Sequence, residues 1–212
     1  MQEKTGKIQR ANTDTRRADL IAATLRVIAR DGVRAATVRA IAKEADVTQG
    51  LIRYYFSTKD DLITAAYELH MATLVRAADE ASKGKASARK RLSKFIQVSL
   101  QSPVTSHESI AIWAGFFAVL LHDPAMADSH KRSYDLLRLH LKGLIAAVLE
   151  EADIATDPRK LRRLSIAGNA ILDGLWIEGG ALPDVFGDNE LVQVGLESFS
   201  ALIGVELEGT SG

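Results

Sequence analysis

The chain is predicted to be all-α, with about nine helices, on three observations. Apolar residues recur three and four positions apart through most of its length. Helix signals punctuate that pattern: Asp123-Pro124 and Asp157-Pro158 put an N-cap before a proline, and Asp31-Gly32 and Ser102-Pro103 end apolar runs. No stretch alternates apolar and polar residues with β-branched enrichment, so no strand is expected, and no internal repeat is visible.

Residues 1–12 are polar, with Lys4, Lys7 and Arg10, and read as a mobile basic arm. Ala18, Ile21, Leu25 and Ile28 form the stripe of a first helix. Asp31-Gly32 ends it, with the glycine suited to a left-handed C′ position. Thr37 caps a second helix with Val38, Ile41, Ala42 and Ala45 facing inward, and a third follows Thr48. STKD at 57–60 reads as a capping box, Ser57 at N-cap and Asp60 at N3. It opens a fourth helix through Leu62, Ile63, Ala66 and Leu69 to near Ser82. After a loop at 82–87 come a fifth helix over 88–101 and a sixth holding the apolar run 110–121. The seventh starts at Asp123-Pro124, and the eighth runs from Asp157-Pro158 to near Leu182. Asp188 is expected to cap a ninth carrying Leu191, Val194, Phe199, Leu202 and Ile203. The expected division is the arm at 1–12, a small helical domain at 13–72 and a larger one at 73–212.

With 212 residues, 47% of them hydrophobic, the chain can bury a sizeable core. It has no cysteine, which excludes disulfides and thiolate chemistry and permits a reducing compartment. Residues 1–17 have no apolar core of a signal peptide, and the run 110–121 is short of the roughly 20 residues a membrane span needs. A cytoplasmic protein with no membrane partner is expected. Net charge is zero but unevenly spread. Residues 1–60 hold 12 Lys+Arg against 7 Asp+Glu, a net +5, and the rest hold 15 against 20, a net −5. A basic head on an acidic body points to a polyanion as partner of the head alone.

The third helix is short, and its two faces differ. At about 100° per residue, Gln49, Gly50, Arg53 and Tyr54 share one arc, and Leu51, Ile52, Tyr55 and Phe56 the other. Val47 and Ile52 stand at N′ and N4, the positions of a hydrophobic staple. The outward face offers an amide for adenine, a guanidinium for guanine and a glycine that lets base edges approach. A short helix behind a tight turn, preceded by one that crosses the backbone, is the layout of a helix-turn-helix in the major groove. A solvated helix face is the alternative reading of the same residues.

The segment 36–62, ATVRAIAKEADVTQGLIRYYFSTKDDL, resembles the tetracycline-repressor (TetR) family of one-component regulators. Thr37, Ile41, Ala42, Ala45, Val47, Thr48, Gly50, Tyr55, Phe56, Lys59 and Leu62 carry the resemblance. Asp46 stands where the family has glycine, and Arg53 where it commonly has tyrosine. The resemblance implies a three-helix DNA-binding domain on a larger helical ligand-binding and dimerisation domain, acting as a homodimeric repressor on inverted-repeat operator DNA. Thr37 and Thr48 would cap helices that face phosphates. Gln49, Gly50, Arg53 and Tyr54 would face bases or nearby backbone. Tyr55 and Lys59 would reach phosphate, with Arg39 a weaker candidate. Helices eight and nine would pair with a second subunit, Gly168 and Gly174 permitting close approach.

AIWAGFFAVLLHDP (111–124) and AILDGLWIEGGAL (170–182) resemble the BetI-type branch, repressors of choline-to-glycine-betaine genes. Trp113, Phe116 and Phe117 share a helical face, and Asp173 and Trp176 are three apart. Aromatic rings with a carboxylate suit a small quaternary ammonium inducer such as choline. Aromatic residues at this spacing also build ordinary cores, and an unrelated non-cationic inducer remains a reading. Ligand binding and DNA binding are expected to be coupled through the fourth helix. The five histidines have no metal-ligand spacing, and no phosphate loop or nucleophile motif is present, so no metal, cofactor or enzyme activity is expected. A helical interaction module without DNA binding is the other alternative.

Overall fold

The computed structural model describes residues 2–207, with side chains from Thr15 onward. The described residues form nine α-helices and two short 3-10 turns. They are α1 (Gln2–Asp31), α2 (Val38–Glu44), α3 (Gln49–Tyr55), α4 (Lys59–Ala81), α5 (Ala88–Ser99), α6 (His107–Leu120), α7 (Pro124–Glu151), α8 (Pro158–Ala181) and α9 (Glu190–Ile203). The backbone expected as an arm belongs to the first turns of α1. The side chains of Lys4, Lys7 and Arg10 lie outside the described residues. No described helix is long and apolar enough to cross a membrane.

The chain divides into two compact units. Unit one comprises residues up to His70 together with Ala111–Ser129; unit two comprises Met71–Ile110 and the residues from His130. Residues 111–129 thus group with the N-terminal residues in unit one.

In unit one, α1 turns Leu20, Ile21, Ala23, Thr24, Val27 and Ile28 inward, and Ala18 is exposed. The buried face is therefore rotated from the expected stripe. Thr24 occupies core space because its hydroxyl donates to the Leu20 carbonyl at 2.8 Å, so the polar atom is satisfied within the helix. Gly32 leaves α1 at φ 81°, where a Cβ would strain the backbone. Ile41, Ala42, Ile52, Phe56, Leu62 and Ile63 continue the core. Gly115 of α6 faces Ile28 and Val33, and a Cβ there would make ordinary contacts of 3.5 and 3.4 Å with them.

The α4 cap is one residue later than expected. Thr58 Oγ1 accepts from the Asp61 N–H at 3.0 Å, and Asp61 Oδ2 accepts from the Thr58 N–H at 2.9 Å. Both S-x-x-D and T-x-x-D fit the motif. Phe56 is the extended, buried C-cap of α3, so Ser57 is used as the spacer to the next helix. Leu69, expected inward on α4, is exposed.

In unit two, α5, α8 and α9 pack on one another and on α7. Leu92, Phe95, Ile96, Leu141, Ile145, Val148, Leu196 and Phe199 form the centre. A Cβ on Gly168 would come within 2.9 Å of the Phe199 ring, so that glycine sets an approach inside the chain. Leu191, Phe199 and Ile203 of the α9 stripe are likewise buried within the chain. Asp123 and Asp157 cap α7 and α8 as expected. Asp188 does not cap α9. Asn189 holds the N-cap position at φ 59° without a side-chain bond, and Glu190 reaches back to the Gly187 N–H at 2.7 Å.

Candidate nucleic-acid interface and ligand site

Two threonines start α2 and α3. Thr37 Oγ1 accepts from the Ala40 N–H at 3.1 Å, and Thr48 Oγ1 from the Leu51 N–H at 3.3 Å. Between them α2 ends in a Schellman turn: the Val47 N–H donates to the Ala42 carbonyl at 2.9 Å and the Asp46 N–H to that of Lys43 at 3.3 Å. Asp46 takes the left-handed residue of that turn, φ 52°, the position where glycine carries no Cβ penalty.

Burial divides α3 as the sequence pattern requires. Gln49, Gly50, Arg53 and Tyr54 are exposed, Tyr54 by 78%, and Ile52 and Phe56 are buried. Tyr55 is half-buried, its ring edge-on to Tyr54 with centroids 5.1 Å apart. The Arg17 guanidinium covers Phe56 at 5.0 Å.

The cations of unit one fall into two groups. Glu44 binds Arg26 Nε at 2.8 Å and Arg30 Nη1 at 3.0 Å, and Arg30 also binds Asp31. Hydrogen bonds from Arg26 and then Arg30 hold the Glu44 carboxyl below its ordinary range. These arginines brace α1 on α2, a role invisible to local pattern because the partners lie 18 and 14 residues apart. Arg39, Arg53 and Lys59 are exposed, and none makes an ion pair or hydrogen bond among the described residues. Lys59 opens α4. A phosphate meeting such cations displaces no internal partner.

The expected ligand residues divide between the units. In unit one, Trp113 stacks on Phe117, centroids 4.9 Å apart, and Phe117 is exposed. Phe116 points elsewhere: it is fully buried, edge-on to Tyr67 at 5.3 Å. Spacing of three and four placed it with Trp113 and Phe117, but the core takes its ring. His70 lies beside Phe116, and burial pushes its imidazole down to about 4.

In unit two, Trp176 is buried, and its indole N–H donates to the Val104 carbonyl at 2.7 Å, tying down the segment after α5. Asp173 is half-buried and accepts from the Tyr134 hydroxyl at 3.3 Å and from Asn169 Nδ2 at 2.7 Å. Burial pushes its carboxyl up to about 6, against the opposing effects of the Tyr134 bond, the Arg138 charge and the Asn169 bond. The Arg138 guanidinium lies over the Tyr134 ring at 5.6 Å. Sequence reading missed Asn169, Tyr134 and Arg138. Asn169 was in reach as the residue four before Asp173, whereas Tyr134 and Arg138 come from another helix.

A short capped helix with an unpartnered polar face, set behind a tight turn on an all-helical body, defines a helix-turn-helix DNA-binding regulator. Comparison with known proteins agrees. Residues 20–66 match the family described as bacterial regulatory proteins, tetR family, and residues 88–204 match the BetI-type transcriptional repressor C-terminal family. The HTH-type transcriptional regulator BetI of Brucella suis is 30% identical, over 84% of this chain and 88% of its own length. That of Paraburkholderia phytofirmans is 27% identical, over 85% and 90%. A crystal structure of a putative transcriptional regulator from Pseudomonas aeruginosa has a TM-score of 0.82 at 30% identity, covering 91% of this chain and 92% of that one. A regulator from Saccharomonospora viridis, solved in complex with choline, shares the fold at a TM-score of 0.70 and 19% identity, covering 89% and 95%. The chain belongs to the TetR family, in its BetI-type branch, and is a transcriptional regulator rather than an enzyme.

Proposed function

We propose that the protein is a cytoplasmic homodimeric repressor that binds an inverted-repeat operator through α3 and is released by a small quaternary ammonium. The observation that carries the DNA reading is the outward face of α3, where Gln49, Gly50, Arg53 and Tyr54 are exposed beside unengaged Arg39 and Lys59. One helix of seven residues reads few base pairs, so two copies on a repeated site supply the specificity. The outer faces of α8 and α9, with Ala170, Gly174, Val194 and Ala201 exposed, are the surface proposed for the second subunit. Footprinting on a genomic operator library, with the mass of the complex measured, tests this. A monomer bound to a non-repeated site would sink it.

For the inducer, the supporting observations are the Asp173 carboxylate beside the Tyr134 ring and the choline found in the Saccharomonospora viridis relative. A carboxylate and an aromatic face both attract a poorly hydrated cation. The Trp113–Phe117 stack is a further aromatic candidate. Release requires the ligand to prefer the DNA-free state, and the coupling is reciprocal; α4, continuous from Lys59 to Ala81, is proposed to carry it. Calorimetry with millimolar choline tests the ligand. No heat with choline removes choline as the inducer and leaves the DNA reading standing.

A further inference from the structure

One cation of unit one is held in place without being neutralised. Arg17 is exposed on α1, and its guanidinium lies over the Phe56 ring, Cζ 5.0 Å from the centroid. It makes no ion pair or hydrogen bond among the described residues. Its neighbour Arg16 differs, pairing with Asp19 one turn on at 3.7 Å. Arg26 and Arg30 differ as well, both being bound to Glu44. A ring contact uses the charge of a guanidinium but none of its N–H donors, so those of Arg17 stay available. The contact also limits the rotamers of a long side chain, which leaves less entropy to lose when a partner binds.

The place where it is held follows from the chain around Phe56. Phe56 is the buried C-cap of α3, and Lys59, three residues on, opens α4. The core fixes the ring, so the guanidinium above it sits at the junction of the two helices. The start of α4 is short of positive charge. Lys59 is followed by Asp60 and Asp61 in the first turn, all three exposed, one cation against two carboxylates. Asp61 is kept there by its capping bond from the Thr58 N–H at 2.9 Å. A phosphate approaching Lys59 alone meets a net negative charge. With Arg17 the junction carries two cations against two carboxylates.

We infer that Arg17 is a phosphate contact for the operator, positioned by the Phe56 ring, and that it supplies the charge with which DNA approaches the α3–α4 junction. The partner group is a backbone phosphate, met by the N–H edge of the guanidinium while its face stays on the ring. The inference rests on the DNA reading of α3. Such a contact fixes register and carries no base preference. An arginine that only covers Phe56 would act on stability and not on salt dependence, and that difference sets the test.

Fluorescence anisotropy with the full-length protein and the operator recovered by footprinting, titrated at several salt concentrations, makes the measurement. Arg17→Met keeps the apolar cover of the ring and removes the charge. It is expected to weaken binding roughly five- to tenfold for each half-site near about 0.1 M salt and to lower the salt slope by about one for each half-site. The loss should be the same on operators with altered bases. Arg17→Lys, which keeps a charge, is expected to retain the wild-type slope. Uncharged methylphosphonates placed symmetrically in both half-sites locate the contact: at one position, wild type and Arg17→Met should bind equally. Should Arg17→Met not fold, Arg17→Gln carries the same comparison. A lower urea midpoint with an unchanged salt slope makes Arg17 a cover for Phe56 and overturns the inference. A loss confined to particular base sequences overturns the phosphate assignment. Wild-type affinity and slope in the variant remove Arg17 and leave the α3 reading intact, whereas a wild type that binds no operator takes both readings together.

Discussion

In unit one the polar groups that matter lie outside. Arg53 and Tyr54 project from α3 into solvent, and the core beneath them is apolar, Ile52 and Phe56. In unit two the polar groups that matter lie inside. Asp173 accepts from Asn169 within α8 and from Tyr134 of α7, and the His140 ring bridges Asp79 at 3.0 Å and Ser82 at 3.3 Å. On the proposed function the difference follows the size of the partner. A polyanion is met at a surface, where cations must be free and act over roughly 10 Å. A small molecule is held by contact and desolvation, which requires the polar groups to be enclosed and positioned.

The largest effect expected from this contrast is on stability. Phe199→Ala empties a fully buried position against Gly168 and should cost about 3–5 kcal/mol in urea denaturation. Tyr54→Ala, on the exposed face of α3, should stay within about 0.5 kcal/mol of the wild type while weakening operator binding. Similar stability losses for both would break the comparison.

The next effect is a pH dependence located in unit two. The Asp173 carboxyl is raised from 3.8 to about 6. A carboxyl raised on folding favours the folded state fully below its unfolded value, and that contribution is lost as pH rises through the folded one. The group should therefore cost on the order of 2–3 kcal/mol between pH 4 and 7. Tyr134, Arg138 and Asn169 border it, and His130, against the Tyr134 ring, is pushed down by burial and then by Arg138. His70 in unit one acts in the opposite sense, being lowered to about 4 and losing stability as pH falls below 6.5. The difference between wild type and Asp173→Asn, followed by denaturation across pH 4–7, isolates the carboxylate. A difference that does not change with pH would remove it.

At the proposed DNA face, Arg53→Ala should weaken binding by roughly 1–3 kcal/mol and relax preference at one base position per half-site. Lys59→Ala should weaken all sequences alike and lower the salt slope by about one. A randomised operator library separates the two, and an identical uniform loss in both variants would collapse the division between reading and positioning. The smallest effect belongs to the turn. Asp46→Gly should stabilise unit one by about 0.5–1 kcal/mol, because glycine removes the Cβ penalty at φ 52° and gives part of that back as unfolded-chain entropy. A loss of stability in the same assay would mean that the Asp46 side chain contributes to the turn.

Much of the molecule was legible in one dimension because its signals are local. Caps at Thr37, Thr48, Asp123 and Asp157 act over two or three residues, and the two faces of α3 follow from helical rotation alone. Where two local motifs overlapped, as at Ser57 and Thr58, their spacing could not choose between them, and the need for Phe56 to reach the core did.

What the sequence by itself determined was the helical class, the start and stop of most helices and the outward residues of α3, all properties of interactions within a few positions of the chain. The tertiary structure alone decided which apolar faces are spent internally. It buried Phe116 on Tyr67 and Leu191, Phe199 and Ile203 of α9 within the chain, while Val194 of the same expected stripe is exposed. It also joined Tyr134 to Asp173 and Glu44 to Arg26 and Arg30. Helical periodicity tells which residues share a side but not what that side meets. Desolvation and hydrogen-bond pairing depend on the neighbour, and the neighbour is chosen by packing between helices distant in the chain.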